Sequence, residues 1–379
     1  MAQILNKNKI IIFGVVQDTI INFRYDLILK LQECNYLVEI IVTNPTLHFI
    51  EKMLEKGVIV HSLNLKRRSY NLLNLFQEYL KFKKIIFNSQ PDLIFSYTIK
   101  PILISSCLRK RNNYFKLILL FEGLGSMFDS NNIVKKIKKN IFTKIYKKYI
   151  PYADTAIFLN KEDKNCFESL KICDSSKAFC INGIGINLTK FKYHPLKINK
   201  EIIFLFIGRL IKEKGIYDFI EAAKIIKKKY SEVKFRVVGQ IENDGMKLAE
   251  ILKFQNEGTI EYLGVLNDIR QAIIESSVFV LPTYYNEGLP KSILESLAIG
   301  RAIVTTNTKG CNQTVLNGEN GFFVPIKNPS ELSNILIKFI KSPHLLYEMS
   351  QKSRLIAENI FSDKIINESL LTILNRLRK

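Results

Sequence analysis

Short β-branched and apolar runs alternate with longer helical patterns along the whole chain, and the series begins twice. The first set of strand candidates runs Lys9 to Val16, Val38 to Thr43, Val58 to Ser62, Leu93 to Ser96, Phe115 to Phe121, Thr155 to Leu159 and Lys177 to Ile181. Helical patterns lie between them, as at Phe23 to Glu33, Asn71 to Phe87 and Ile133 to Tyr149. A second set follows at Ile202 to Gly208, Lys234 to Gly239, Ile260 to Leu263, Val278 to Pro282 and Ala302 to Thr305. Such alternation predicts parallel sheets covered by helices on both faces. Two series predict two doubly wound α/β domains, and 379 residues exceed what one hydrophobic core usually serves. The polar stretch Asn187 to Lys200, with Tyr193-His194-Pro195 at its centre, lacks periodicity and reads as the linker. The expected domains are 1–198 and 199–355, with the final residues 356–379 forming a helix that packs back on the first domain.

Several classes are excluded by composition. With 47% apolar residues and a mean hydropathy of +0.04 the chain has ample core material, so wholesale disorder is ruled out. The longest apolar runs, Ile202 to Gly208 and Leu117 to Phe121, fall far short of the roughly 18–20 residues of a membrane-spanning helix. Lys7 and Lys9 before Ile10 to Val16 imitate a signal peptide, but Gln17 and Asp18 follow and no small-residue cleavage site appears. A cytoplasmic first strand is expected. Six cysteines occur without any C-x-x-C, and the even spacing of Cys166, Cys173 and Cys180 is wrong for zinc pairs. The four histidines are isolated, and neither H-E-x-x-H nor D-x-D occurs, so no metal is expected.

The net charge of +21 is unevenly placed. Residues 1–200 hold 32 basic and 15 acidic side chains, net +17, and residues 201–379 hold 24 and 20, net +4. A field of this kind attracts nucleic acid, anionic lipid or a phosphorylated substrate. Nucleic acid is disfavoured: there is no RNP-like aromatic pattern, no zinc finger and no clear helix-turn-helix. In Asn132 to Ile150, Val134, Ile137, Ile141, Ile145 and Tyr149 form one stripe, expected to cover a sheet. Seven lysines, Lys135, Lys136, Lys138 and Lys139 among them, occupy much of the rest, and docking on an anionic membrane surface is expected of them.

Ligands of open α/β sheets bind beyond the carboxyl ends of the strands. After Ile202 to Ile207 comes Gly208-Arg209-Leu210-Ile211-Lys212-Glu213-Lys214-Gly215, opening a helix at Ile216. Amides at a helix start, with Arg209 and Lys214 beside them, suit a diphosphate. After Val278 to Leu281 comes Pro282-Thr283-Tyr284-Tyr285-Asn286-Glu287-Gly288-Leu289-Pro290 and a helix from Lys291. Glu287 would stand at the rim, and Glu295 about two turns inside the helix. Gly288 and Leu289 would offer amides near an anion.

Arg209 with Lys214, followed by E-G-L-P-K-S-I-L-E from Glu287 to Glu295, resembles the basic pair and E-x7-E motif of retaining family-4 glycosyltransferases with the GT-B fold. The likeness covers most of residues 202–326. More weakly, Asn22-Phe23-Arg24, Tyr97-Thr98-Ile99-Lys100-Pro101 and Glu122-Gly123-Leu124-Gly125-Ser126 resemble relatives that extend bacterial lipid-linked glycans or N-linked glycan precursors, N-acetylgalactosaminyltransferases among them. The resemblance implies two Rossmann-like domains facing a cleft, with Gly208, Arg209 and Lys214 at the donor diphosphate and Glu295 at its ribose. It implies Glu287, Gly288 and Leu289 at the transferred sugar, and Asn22, Arg24, Lys100, Gly123 and Gly125 on the acceptor side. The catalytic set would be Glu287, Arg209 and Lys214. Many members carry a first-domain His near the reacting sugar, whereas Tyr97 to Lys100 contains none, which leaves the departing phosphate as a candidate proton acceptor. Gly123-Leu124-Gly125 lacks the third glycine of a dinucleotide fingerprint.

The expected activity is transfer of a sugar from a UDP-sugar, with retention and without a metal or other cofactor, onto a polyprenyl-diphosphate-linked saccharide. Its expected place is the inner face of the cytoplasmic membrane. A nucleotide-sugar epimerase or a soluble-acceptor transferase of the same fold is the alternative, and a nucleic-acid-binding protein the reading from another class.

Overall fold

The structure is a computed structural model that describes residues 8–65, 72–123, 133–196, 201–242, 245–285 and 288–377. The chain divides into two units, residues 1–184 with 366–379, and 185–365.

In the first unit the strands β1 (Lys9–Phe13), β2 (Leu37–Val42), β3 (Ile59–Ser62), β4 (Leu93–Tyr97), β5 (Lys116–Phe121), β6 (Thr155–Phe158) and β7 (Ala178–Cys180) form one parallel sheet in the order β3-β2-β1-β4-β5-β6-β7. The helices are α1 (Gln17–Phe23), α2 (Tyr25–Glu33), α3 (Leu47–Leu54), α4 (Leu72–Ser89), α5 (Ile99–Arg111), α6 (Ile133–Tyr149) and α7 (Lys161–Ser169). Alternation along β1 feeds two cores. Ile10 and Ile12 pack with Leu27 and Leu31 of α2, Ile11 and Phe13 with Phe82 and Ile86 of α4 and Tyr146 of α6.

The second unit repeats the plan with β8 (Ile203–Ile207), β9 (Lys234–Val238), β10 (Glu261–Tyr262), β11 (Val278–Leu281), β12 (Ala302–Thr306) and β13 (Gly321–Val324), all parallel in the order β10-β9-β8-β11-β12-β13. Its helices are α8 (Ile216–Lys227), α9 (Leu248–Asn256), α10 (Arg270–Glu275), α11 (Lys291–Ile299), α12 (Pro329–Lys341) and α13 (His344–Asn359). The last helix, α14 (Asp363–Arg376), places Ile366, Leu370 and Leu374 in the core beside Ile10 and Leu27 of the first unit.

Four local features differ from expectation. The division falls at Gly185 rather than within 187–200, because that stretch packs on the second unit. Phe191 is in its core, and Arg354 Nη1 donates to the carbonyls of Phe191 (3.0 Å) and Ala298 (2.7 Å). α13 belongs to the second unit to its end at Asn359, so the chain crosses back at 365–366 instead of 355. Residues 23–33 are not one helix: Arg24, at φ −126°, separates α1 from α2 and turns inward, only 2% exposed. On α6 the core side is Phe142 and Tyr146, while Ile137 and Ile141, expected to cover the sheet, are 54% and 52% exposed. The helix carries two apolar sets, and the aromatic pair at i, i+4 fills the core better than the aliphatic one.

All six cysteines are free thiols. No helix among the described residues is long and apolar enough to cross a membrane.

Candidate active site

Each sheet reverses its winding at one place, between β1 and β4 in the first unit and between β8 and β11 in the second. Crevices at the strand ends there are the ligand positions of doubly wound sheets.

In the second unit two turns interlock at this point. Gly208 N donates to Val238 O (3.1 Å) as the chain leaves β8, and a single turn of tight helix at Lys212–Lys214 leads to Gly215. Gly215 lies at φ +79°, and a Cβ on it would stand 2.2 Å from Pro282 O, so only glycine lets the turn after β8 touch the turn after β11. The Glu213 carbonyl accepts from Tyr284 N (2.8 Å), Tyr285 N (3.0 Å) and Thr283 Oγ1 (3.0 Å). This linkage fixes the loop that carries Tyr285, whose ring has both cations near it. The Arg209 guanidinium lies 5.2 Å and Lys214 Nζ 5.8 Å from its centroid, at the start of the twelve-residue α8. Cation–π attraction holds both side chains at one face of the turn. The arrangement presents two positive groups beside a helix N-terminus, the electrostatics that a diphosphate needs.

Gly288 and Leu289 precede α11, whose N-cap is Pro290. Glu287 lies outside the described residues. Glu295 is buried in α11, its Oε1 3.4 Å from Lys291 Nζ. Burial raises its carboxyl above the ordinary glutamate range, with Lys291 and Lys190 pulling it down and Asp268 pushing the same way as burial. The segment around Lys190 and the start of α10 therefore lie within electrostatic reach of Glu295. A cavity of about 420 Å³ opens there, lined among others by Lys190, Lys192, His194, Asp268 and Arg270, and Glu295 does not itself line it. No residue of the Gly208–Gly215 turn lines it, so the cavity and the paired cations are separate features.

In the first unit Arg24 Nη2 donates to Glu122 Oε1 (2.5 Å) and its guanidinium lies 4.9 Å from the Tyr97 ring centroid, while its buried Nε has no partner among the described residues. Tyr97 Oη and Thr19 Oγ1 are hydrogen-bonded at 2.8 Å. Gly14 is required beneath them, since a Cβ there would stand 2.1 Å from Tyr97 Oη. Burial lifts the Tyr97 phenol well above its ordinary range, against the pull of Arg24, and desolvation likewise raises Glu122. Thr98 follows at φ +64°, ψ 155°, a region comfortable only for glycine, and its buried Oγ1 has no partner among the described residues.

Of the residues expected on the acceptor side, Arg24 is therefore at the switch point, joined to Glu122 next to Gly123. Asn22 is exposed on α1. Lys100 is 4% exposed, and both Glu78 oxygens lie 3.1 Å from its ammonium, so its charge is answered within the fold. Gly125 lies outside the described residues. On α6, Lys136 is exposed and Lys139 half-buried, while the side chains of Lys135 and Lys138 lie outside the described set. Sequence reading missed Tyr285 and Tyr97. Each is a large ring at or just past a strand end among cations, the one signal available.

Residues 189–356 match the family model described as glycosyl transferases group 1, and residues 9–159 match that described as glycosyl transferase 4-like. The chain is 27% identical over 373 residues, covering 95% of it and 96% of the relative, to the N,N'-diacetylbacillosaminyl-diphospho-undecaprenol alpha-1,3-N-acetylgalactosaminyltransferase of Campylobacter jejuni. It is 30% identical over 271 residues, 70% of this chain and 72% of the other, to an uncharacterized glycosyltransferase of Haemophilus influenzae. Among solved structures, the sucrose-phosphate synthase of Thermosynechococcus elongatus superposes with a TM-score of 0.80 at 17% identity, covering 98% of this chain and 99% of that one. Anabaena HepE in complex with UDP-glucose does so with 0.77 at 17% identity, covering 97% and 99%. These two likenesses show the fold, a pair of Rossmann-like domains of GT-B type.

Proposed function

Because the chain belongs to the glycosyl transferases, its halves matching the 4-like and group 1 models, we propose that it moves a hexose or N-acetylhexosamine from a UDP-sugar onto a polyprenyl-diphosphate-linked saccharide, with retention. The observation that carries the donor side is the pairing of Arg209 and Lys214 on the Tyr285 ring at the start of α8. Glycosyl transfer separates a nucleoside diphosphate from a developing oxocarbenium ion, and the two cations with the α8 amides neutralise the leaving group. Glu295 holds the ribose. Glu287, Gly288 and Leu289 stand at the transferred sugar. With the charge of the departing phosphate met by protein cations, the reaction needs no metal. That phosphate takes the acceptor proton.

The acceptor side is supported by the Campylobacter relative, whose name describes an undecaprenol-linked acceptor and which aligns over nearly all of both chains. Arg24, with Nε unspent among the described residues at the β1/β4 switch point, is the group we assign to the acceptor, with Asn22, Gly123 and Gly125 beside it in the family pattern, while Lys100 is taken up by Glu78. Lysines 135, 136, 138 and 139 of α6 hold the first unit at an anionic cytoplasmic leaflet. The decisive experiment incubates the protein with a panel of nucleotide sugars and a bacterial lipid extract, in the presence and absence of EDTA, and identifies the extended lipid by mass spectrometry. A product carrying one added sugar, formed equally with EDTA, is expected. Turnover of the sugar nucleotide to its epimer with no lipid product would refute the transferase reading.

A further inference from the structure

The helical layer on the Ile11/Phe13 face of the first sheet has an outer surface that packing does not use. α5 touches both α4 and α6 there. α4 sends Tyr79, Phe82 and Ile86 into the core and pairs Glu78 with Lys100, which fixes its opposite face outward. That outward face carries Leu73, Phe76, Leu80 and Phe87, exposed by 74%, 58%, 46% and 68%. At 100° per residue these four fall within an arc of about 60°. Exposed Lys83 flanks the arc on one side, and exposed Lys84 and Lys81 flank it on the other. α6 repeats the pattern, with Ile137 and Ile141 outward among exposed Lys136, Lys144, Lys147 and Lys148.

The charge around these side chains has one sign. From 72 to 150 the sequence holds 15 Lys and Arg against four acids, and no exposed acid occurs among the described residues of α4 or α6. Large apolar side chains standing in water between lysines need a partner that offers apolar depth and anionic oxygens together. A leaflet containing anionic phospholipid offers both, its acyl chains to the leucines and phenylalanines and its phosphates to the lysines.

We propose that the α4–α6 layer is a membrane-docking face on which α4 inserts Leu73, Phe76, Leu80 and Phe87 below the headgroups of an anionic leaflet. The proposal deepens the lipid-linked acceptor reading and rests on it for the choice of a membrane, but it adds an inserted element that the α6 lysines alone do not supply. Binding through lysines only would vanish at high salt, whereas apolar insertion leaves a salt-resistant part.

The chain contains no tryptophan, so a single introduced indole reports its own surroundings. Phe76→Trp and Phe87→Trp place it on the α4 stripe, and Tyr347→Trp, at a 43% exposed position of the second unit, is the control. With vesicles of mixed phosphatidylcholine and phosphatidylglycerol, the two α4 reporters should shift to shorter wavelength and be quenched by brominated acyl chains, and the control should do neither. Leu73→Gln, Leu80→Gln and Phe87→Gln together should weaken vesicle binding by at least about tenfold, with UDP binding by calorimetry unchanged. Vesicle binding with unquenched α4 reporters, no binding to the anionic vesicles, or a concentration-dependent blue shift without vesicles would each overturn the proposal. UDP binding is read separately: its absence in a protein that still docks would refute the donor assignment and leave the docking face standing.

Discussion

Arg301 offers a quantitative test of how the second unit holds its site together. Its side chain is 1% exposed, and every one of its five hydrogen bonds goes to a backbone carbonyl. Nε donates to Ile273 O (2.9 Å) and Nη2 to Ile274 O (2.7 Å), in the last turn of α10. Nη1 donates to Ile299 O (3.2 Å) and Gly300 O (2.8 Å) at the end of α11, and to His194 O (2.8 Å). Two helix C-termini and one packed strap thus share a single cation, whose burial lowers it to about 10. Arg301→Met keeps the volume and removes every donor. Nη1 serves three carbonyls with two hydrogens, so four N–H groups are engaged; at about 1 kcal/mol net for each the loss is roughly 4 kcal/mol, and relief of the buried charge returns part of it, leaving about 3 kcal/mol. For a unit of this size that corresponds to a fall in Tm of about 6–12 °C, measurable by calorimetry, with a matching shift in urea midpoint. Arg301→Lys keeps the charge, but one nitrogen cannot span both helix ends, so it should recover less than half of the loss. A methionine variant within about 1 kcal/mol of wild type would refute the reasoning, and a lysine variant equal to wild type would show that charge, not the fork, matters.

Lys214→Ala and Arg209→Ala should each lower turnover by about 100-fold at saturating donor with Tm unchanged, since each removes a cation from the leaving diphosphate; near wild-type turnover in either would break the assignment. Tyr285→Leu should cost less, about 3- to 10-fold, by loosening both cations together. Glu39 on β2 is buried; burial pushes its carboxyl up, but His61 Nε2 at 2.6 Å, Ser89 Oγ at 2.8 Å and Lys9 hold it below the ordinary value near 4.5. A depressed carboxylate contributes stability that is complete above the unfolded value and lost as pH falls through the folded one. Glu39→Gln should therefore be less stable than wild type by about 1–3 kcal/mol at pH 7, with the gap closing below pH ~4.5 in denaturant titrations; a gap that widens in acid would contradict the sign. Thr98→Gly should raise stability by about 1 kcal/mol in the same titrations by releasing the positive-φ strain beside Tyr97, and a destabilised variant would mean that the threonine side chain is held for packing.

What the sequence made legible is what repeats locally. Strand candidates such as Ile202 to Gly208 and Val278 to Pro282 agree with β8 and β11 to within one residue at each end, because a fully buried parallel strand is a continuous apolar run closed by a turn. The turns that follow could be searched for chemistry for the same reason. β13 was missed because Asn317-Gly318 and Asn320-Gly321 read as turn residues, while Gly321 is the first residue of the strand and lies so close to β12 that a Cβ would meet Ile303 O at 1.8 Å. The α6 stripe misled because periodicity gives a helix its apolar arcs but not which arc a neighbour fills. The joining of Arg24, itself expected on the acceptor side, to Tyr97 and Glu122 was out of reach for another reason. Residues 24 and 122 are 98 apart, and only the order in which strands are laid into the sheet brings them together.

The buried and exposed arginines separate by what answers their charge, and that separation distinguishes support from chemistry. Arg301 is engaged by backbone carbonyls, Arg354 by the carbonyls of Phe191 and Ala298 and the Glu358 carboxylate, and Arg236 by two carboxylates, Glu261 and Glu275. Their forks are filled by the fold, so mutation should be felt first in stability. Arg209 is exposed, and its guanidinium lies near the Tyr285 ring, which orients it while leaving its N–H groups able to turn toward an incoming anion. Arg24 stands between these cases, with one fork nitrogen on Glu122, another on the Phe23 carbonyl, and its buried Nε unpartnered among the described residues. An unmade bond from a buried guanidinium costs about 1–3 kcal/mol, and the fold had neutral residues available at that position. On the acceptor assignment proposed above, that bond is accepted by the substrate at the end of β1, beside the switch point.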